Sequence, residues 1–319
     1  MGDQRDLVIE TRGLTKLFGH VAAIEDLDLH VERGEVFGFL GPNGAGKTTT
    51  MRVLVDQIRA TRGSALVLGI DSRAQSVEIR RHLGYLPGDL ALYPRLTGQQ
   101  TLDYFARLRG GVDHEYVAHL AERFGADLSR KVGEYSTGNR QKIGLIQAFM
   151  HRPDLLVLDE PTIGLDPLVQ QEFHLLVDEV RAEGRTVFLS SHTLSEVERV
   201  ADRVGIIRNG HLVVVERVDE LKRKAIRRID FEFAGHVPAD LFEGVGGVRS
   251  AEIEGRIARI SFEGSVNAIL QAAMAHEVLN LNSRESDLEE IFLAYYREDR
   301  ADAADQAAVA GSGETLRVH

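Results

Sequence analysis

Residues 7–40 alternate apolar and polar positions on the way into a buried strand, with Val8 followed by Glu10 and with Leu27, Leu29 and Val31 sharing one side, around turn residues at Gly19 and Arg33-Gly34. A period of two broken by glycine predicts antiparallel strands with one buried face. Val36–Leu40 is instead apolar throughout, too short for a helix and rich in β-formers, and predicts a buried strand leading into a helix over Thr48–Val55. Short strands are expected at Ala65–Leu68 and at Leu83–Leu86, the latter ending in Pro87-Gly88. The period then becomes helical. Thr97 with Gln100 has the form of a capping box before Leu102, Phe105 and Leu108, and Val117, Leu120 and Phe124 mark a second helix, so residues 89–150 are expected to be a helical insert between strands. Tyr135-Ser136-Thr137-Gly138-Asn139 runs into a helix carrying Arg140 and Lys142 at its start and Ile143, Ile146 and Met150 along a face. Leu155–Leu158 predicts another buried strand, followed by Asp159 and Glu160. Next come the turn Gly164-Leu165-Asp166, a helix over Pro167–Ala182, a strand over Thr186–Leu189, and a helix capped by Ser195 with Glu198.

The stretch between the first buried strand and its helix reads Gly41-Pro42-Asn43-Gly44-Ala45-Gly46-Lys47-Thr48-Thr49. Gly41, Gly44 and Gly46 can take backbone angles closed to other residues, which lets successive N–H groups converge on phosphate oxygens while the helix N-terminus adds its dipole. Lys47 is placed to reach β- and γ-phosphates, and the Thr48 hydroxyl to coordinate Mg²⁺, whose shell also needs a carboxylate from elsewhere. Ligands in open parallel sheets bind at the carboxyl ends of the strands. That rule places Asp159 to hold Mg²⁺ through water and Glu160 to orient or deprotonate an attacking water. His192, delivered to the same edge with Ser190 and Ser191, falls near the γ-phosphate. Phe18 is open to two readings, a core aromatic or a platform for a nucleobase. The Ser136 loop offers a second helix N-terminus to an anion, or only caps its helix.

The 319 residues, 43% of them hydrophobic, are enough for one large or two modest domains. No apolar run approaches the roughly 18 residues of a membrane span, and the polar start Met1–Asp6 leads to the expectation of a cytosolic chain without a leader. The lack of cysteine excludes disulfides, zinc–thiolate sites and thiol nucleophiles. A net charge of −11 disfavours broad nucleic-acid binding.

The phosphate loop, the Ser136 loop, the Asp159-Glu160 strand end, Gly164-Leu165-Asp166 and His192, in that order over residues 7–220, resemble the nucleotide-binding subunit of an ATP-binding cassette (ABC) transporter. The resemblance implies an α/β chain with a phosphate-loop NTPase core, a mixed sheet with flanking helices, preceded by an antiparallel β subdomain and interrupted by the helical insert. It also implies an ATP-binding domain over residues 1–220 and a dimer, of this chain or with a related cassette subunit, that sandwiches two ATP molecules. On this resemblance Phe18 stacks adenine and Lys47 and Thr48 hold phosphate and Mg²⁺. Ser136 and Gly138 contact the partner's γ-phosphate, Asp159 and Glu160 serve metal and water, Asp166 signals across the interface, and His192 senses the γ-phosphate. It further implies a separate multi-span permease and a place on the inner face of the plasma membrane. Two positions depart from the family pattern: Thr137 and Asn139 replace a glycine and a glutamine in the signature loop, and Gly88 replaces a glutamine that touches Mg²⁺. A soluble cassette that remodels a macromolecular complex is the alternative, as is a binding module that does not hydrolyse, which Glu160 argues against.

Beyond residue 220, alternation at Ile229, Phe231 and Phe233 and at Ala258, Ile260 and Phe262 predicts strands, followed by a helix over Val266–Ala275, a strand over Val278–Leu281, and a helix with Leu288, Ile291, Phe292 and Tyr295 on one face. A small α/β accessory domain over 221–298 is expected, of a kind that resembles extensions of drug and antibiotic exporters. The Lys222-Arg223-Lys224 run with Arg227-Arg228 reads as a solvated helix face, with contact to anionic lipid as the alternative. Residues 299–319, rich in Ala, Asp and Gly, are expected to be disordered.

Overall fold

The computed structural model describes residues 6–224 and 227–284. Strand β1 (Leu7–Phe18) turns at Gly19 and pairs antiparallel with β2 (Val21–Glu32). The alternation works as expected: Leu27, Leu29 and Val31 are buried while Asp28 and His30 are exposed. Irregular register between the strands is accommodated by Thr11, whose buried hydroxyl donates to the Leu27 carbonyl at 2.7 Å and accepts from the Leu29 amide at 2.9 Å.

Strand β3 (Val36–Leu40) leaves this sheet, and all of its residues are buried. Helix α1 (Lys47–Leu54) follows, then β4 (Arg62–Val67), β5 (Ile70–Asp71), α2 (Ser76–Arg81) and β6 (Leu83–Leu86). The antiparallel sheet has the order β2-β1-β4-β5. The insert carries α3 (Gly98–Leu108), α4 (His114–Arg123) and α5 (Thr137–Phe149). Strand β7 (Leu155–Asp159), α6 (Pro167–Ala182), β8 (Thr186–Ser191), α7 (Leu194–Val200), β9 (Arg203–Arg208) and β10 (His211–Arg217) complete this part. The second sheet has the order β10-β9-β3-β8-β7-β6, with β9, β3, β8, β7 and β6 running parallel. Asn209 and Gly210, both at positive φ, form the two-residue turn that reverses the chain into β10. The all-apolar runs are the central strands, covered on both faces as parallel strands are. The Phe188 ring stacks on Phe37 at 5.8 Å and lies tilted against Phe39 at 5.5 Å, in a core that also takes in Leu14, Ile24, Met51 and Leu54.

Two helix starts and faces differ from expectation. The Thr97–Gln100 capping box forms, with bonds of 3.2 and 3.0 Å, but Leu108 is 66% exposed, because α3 buries Thr101, Leu102 and Ala106 and its apolar stripe is rotated away from 108. The expected cap of Ser195 with Glu198 does not form. Helix α7 already begins at Leu194, with Ser195 inside its first turn, and the Thr193 amide donates to the Ser191 hydroxyl at 2.9 Å instead.

The chain divides between Glu216 and Arg217 into two units. The second holds α8 (Val218–Lys224), β11 (Arg227–Phe233), β12 (Val248–Glu254), β13 (Ile257–Phe262), α9 (Asn267–Ala273) and β14 (Val278–Arg284), its antiparallel sheet ordered β12-β13-β11-β14. Ile229, Phe231, Phe233, Ala258, Ile260 and Phe262 face its core with Phe242 and Ile269. Arg227 and Arg228 lie exposed on β11, so the basic run is not one helix face. The expected helix at 288–295 and the tail 299–319 lie outside the described residues.

His151 follows the end of α5, its Nε2 donating to the Leu83 carbonyl at 3.2 Å. Burial first, and then the Arg109 cation, push its imidazole down to about 4. The unfolded chain therefore takes up a proton as pH falls below about 6.5 that the folded chain refuses until about 4, so stability is lost across that window. Urea midpoints at pH 7 and pH 5 should fall less in His151→Gln than in the wild type; equal falls would contradict this assignment. Phe188→Ala, which empties the centre of the core, should cost about 3–5 kcal/mol in urea denaturation, and a loss below about 1 kcal/mol would show that the core is not organised around this ring.

Candidate nucleotide and metal site

Parallel pairing brings the carboxyl ends of four strands to one edge. Leu40 lies opposite Ser191, Asp159 opposite Ser190, and Leu86 opposite Leu158, so the loops after β3, β6, β7 and β8 leave the sheet side by side.

The loop after β3 is shaped by its glycines. Gly46 has φ 114°, and a Cβ there would stand 2.5 Å from the Ala23 carbonyl oxygen, so no other residue fits. Gly41 does not use a left-handed angle; it is needed for space, since a Cβ would stand 2.4 Å from the Ile207 carbonyl oxygen. Gly46 caps α1 without a side chain, which leaves the first amides of the helix directed into the loop. Pro42, Asn43, Gly44, Gly46, Lys47, Thr48 and Thr49 line a cleft with Ala23 and Glu160.

Lys47 is buried, and its ammonium donates to the Gly41 carbonyl at 2.6 Å and the Pro42 carbonyl at 3.3 Å while standing 3.3 Å from Glu160 Oε1. An ammonium withdrawn from water needs such partners, and these are ones that a phosphate could replace. His192 Nδ1 donates to the other Glu160 oxygen, Oε2, at 2.8 Å. Glu160 itself has φ 50°, a costly angle for a residue with a side chain, and its amide donates to Ser190 Oγ at 2.9 Å. The same hydroxyl donates to Asp159 Oδ1 at 2.6 Å. Ser190 is thus the hub that fixes both carboxylate residues. It was visible in sequence only as part of a strand end, because its role depends on the register of β8 with β7.

Asp159 is fully buried, yet its Oδ2 has no hydrogen-bond partner among the described residues. Burial first, and then the negative charge of Asp159, push the phenol of the nearby Tyr85 up to about 12. Such a bare carboxylate oxygen and the hydroxyl of Thr48, in the first turn of α1, would together make an oxygen-only donor set, which suits Mg²⁺ completed by water and phosphate. No group of three or more His, Asp or Glu side chains among the described residues could hold a metal by itself, so an ion here takes much of its shell from elsewhere.

The remaining expected site residues are placed as follows. Phe18 is 53% exposed at the end of β1, with Lys16 Nζ 4.9 Å from its ring centre, which removes the core reading. Ser136 is exposed and caps α5, accepting from the Asn139 amide at 3.2 Å. Gly138 packs on the Gly164 turn, where a Cβ would come within 2.5 Å of the Gly164 carbonyl oxygen. Asp166 caps α6 by accepting from the Val169 amide at 3.1 Å. Gln141 escaped sequence reading. Buried in α5, it donates to the carbonyls of Glu160 and Pro161 at 3.1 and 3.0 Å, tying the helix behind the Ser136 loop to the Glu160 turn.

A family model described as ABC transporter matches residues 24–163. The probable multidrug ABC transporter ATP-binding protein YbhF of Escherichia coli (strain K12) is 40% identical over 229 residues, 70% of this chain and 39% of YbhF, so the chain spans about two fifths of that relative's length. The bacitracin transport ATP-binding protein BcrA of Enterococcus faecalis is 34% identical over 294 residues, covering 90% of this chain and 96% of BcrA. A solved ATP-binding subunit of an ABC transporter superposes with a TM-score of 0.63 at 30% identity, over 68% of this chain and 92% of that one. A dimeric bacterial ABC transporter cassette shares the fold, with a TM-score of 0.61 at 21% identity over 66% of this chain and 98% of that one. Agreement with BcrA over nearly the whole of both sequences goes well beyond a shared phosphate loop: the chain belongs to the ABC transporter ATP-binding protein family.

Proposed function

We propose that this chain is the Mg²⁺-dependent ATPase subunit of an ABC exporter, its residues 1–220 binding ATP and 221–298 forming an accessory domain. The observation that carries the proposal is the cluster of Lys47, Glu160 and His192 beside the Ser190-held Asp159, facing the amides of the Gly41–Gly46 loop. Lys47 exchanges the Gly41 and Pro42 carbonyls for phosphate oxygens. Glu160, aligned by His192, orients and deprotonates the attacking water. Thr48 and Asp159 hold Mg²⁺, which supplies charge neutralisation on the phosphate oxygens when bound with ATP. Phe18, exposed at the end of β1, stacks the adenine. Catalysis here is positioning and electrostatics rather than covalent chemistry.

Ser136 and Gly138, exposed or half-buried on their own helix start, complete the site of a second cassette, with Asp166 at the same interface; this supports a dimer with two composite sites. The permease docks on segment 90–96, where the exposed Tyr93 meets Tyr104 and, with Pro94 and Leu96, lines an apolar patch. That arrangement holds the chain at the inner face of the plasma membrane. The names of YbhF and BcrA support a drug or antibiotic as the cargo.

Glu160→Gln should still bind MgATP but turn it over about a hundredfold or more slowly, since a general base contributes roughly 10² to 10⁴ in rate. Size-exclusion chromatography should then show an ATP-dependent dimer. A monomer with ATP demonstrably bound would rule out the paired sites, and an undiminished rate would rule out Glu160 as the base.

A further inference from the structure

The loop after β6 comes closer to the Asp159 carboxylate than a side chain there allows. A Cβ on Gly88 would stand 2.9 Å from Asp159 Oδ2 and 3.3 Å from its Cγ, whereas a comfortable carbon–oxygen contact runs about 3.3–3.6 Å. Gly88 is not among the residues with positive φ, so its backbone would accept other residues; what excludes them is Asp159. Nor is the carboxylate free to turn away. Oδ1 is held at 2.6 Å by the Ser190 hydroxyl, which is itself engaged by the Glu160 amide, and the whole side chain is buried. Of the two Asp159 oxygens, the crowded Oδ2 is the one that has no hydrogen-bond partner among the described residues.

Neighbouring polar groups do not take its place. Tyr85 gives its hydroxyl proton to Gln57 Oε1 at 3.3 Å. The Asp89 side chain is 95% exposed and lies 3.4 Å from Arg52, directed out to solvent.

We propose, resting on the metal reading above, that Gly88 is a positioning residue for Asp159: its missing side chain keeps Oδ2 aimed at the metal, and the ligand that a longer residue would offer is supplied by water. A side chain at 88 then acts by displacing the carboxylate, and even glutamine, which can coordinate, weakens the site. Mg²⁺ accepts this arrangement because it ordinarily keeps several waters.

The test compares the affinity of the full chain for a fluorescent ATP analogue in EDTA and in Mg²⁺, with Mn²⁺ resonance as a direct view of the ion. The ratio of the two affinities measures the metal's share, which a purely structural defect would not single out. Gly88→Ala and Gly88→Gln should each lower that ratio about tenfold or more, in line with the 10- to 100-fold cost of disturbing groups that orient metal ligands. The affinity in EDTA should stay within about twofold, and the Mn²⁺ signal of the bound complex should broaden or be lost. Gly88→Ser, whose Cβ meets the same oxygen, serves if Gly88→Ala does not fold. Asp89→Ala should leave the ratio unchanged. An unchanged ratio in Gly88→Ala, a higher ratio in Gly88→Gln, or a collapse in Asp89→Ala overturns the proposal while leaving the nucleotide site standing. A wild-type ratio of one overturns the metal reading and this proposal with it.

Discussion

Charges removed from water at one edge of a sheet must be satisfied within the fold, and that constraint governs the first unit of this protein. Lys47 and Asp159 are buried and Glu160 nearly so, and each is held by groups that exist only where several strand ends coincide. The Ser190 hydroxyl links the Asp159 carboxylate to the Glu160 amide, and Lys47 is shared between two loop carbonyls and Glu160. Removing any one of these groups leaves a buried charge or an unfilled hydrogen bond. The site is therefore also part of what fixes the ends of β3, β7 and β8.

The rest of the first unit places these ends. The unbroken apolar runs make β3, β7 and β8 neighbours in a parallel sheet, and parallel pairing puts all their carboxyl ends on one side. The helical insert enters between β6 and β7, and its last helix returns to the site through Gln141, which bonds the carbonyls of Glu160 and Pro161. One end of the insert is thus tied to the Glu160 turn, while its apolar patch around Tyr93 and Tyr104 faces solvent. A change of ligand at Glu160 has a bonded route to the insert.

Much of this was legible from residue order because it depends on local pattern. Alternation gave the paired strands, apolar runs the central ones, and Gly-rich spacing the loop before α1. What was not legible depends on register and depth. Ser190 is one of two adjacent serines, and only its position opposite Asp159 selects it. Gln141 reads as an ordinary polar helix residue until α5 is seen to bury it. Leu108 continues the apolar spacing of α3 but falls beyond the buried stripe, and β12, mostly exposed, has too few buried positions to signal a strand. Phe18 could not be assigned from sequence, since an exposed and a buried aromatic look alike until the end of β1 is placed. Gly88 was visible as a departure, but not the contact with Asp159 Oδ2 that accounts for it.

The central claim is that Lys47 rests on the loop carbonyls and Glu160 only until phosphate replaces them. Calorimetric titration of MgATP into the wild-type chain and into folded Lys47→Ala tests it most directly. The account predicts one ATP bound per wild-type chain and an affinity weaker by about tenfold to a hundredfold in the variant, the worth of a charge-assisted contact with phosphate. Equal affinities in the two proteins would contradict it.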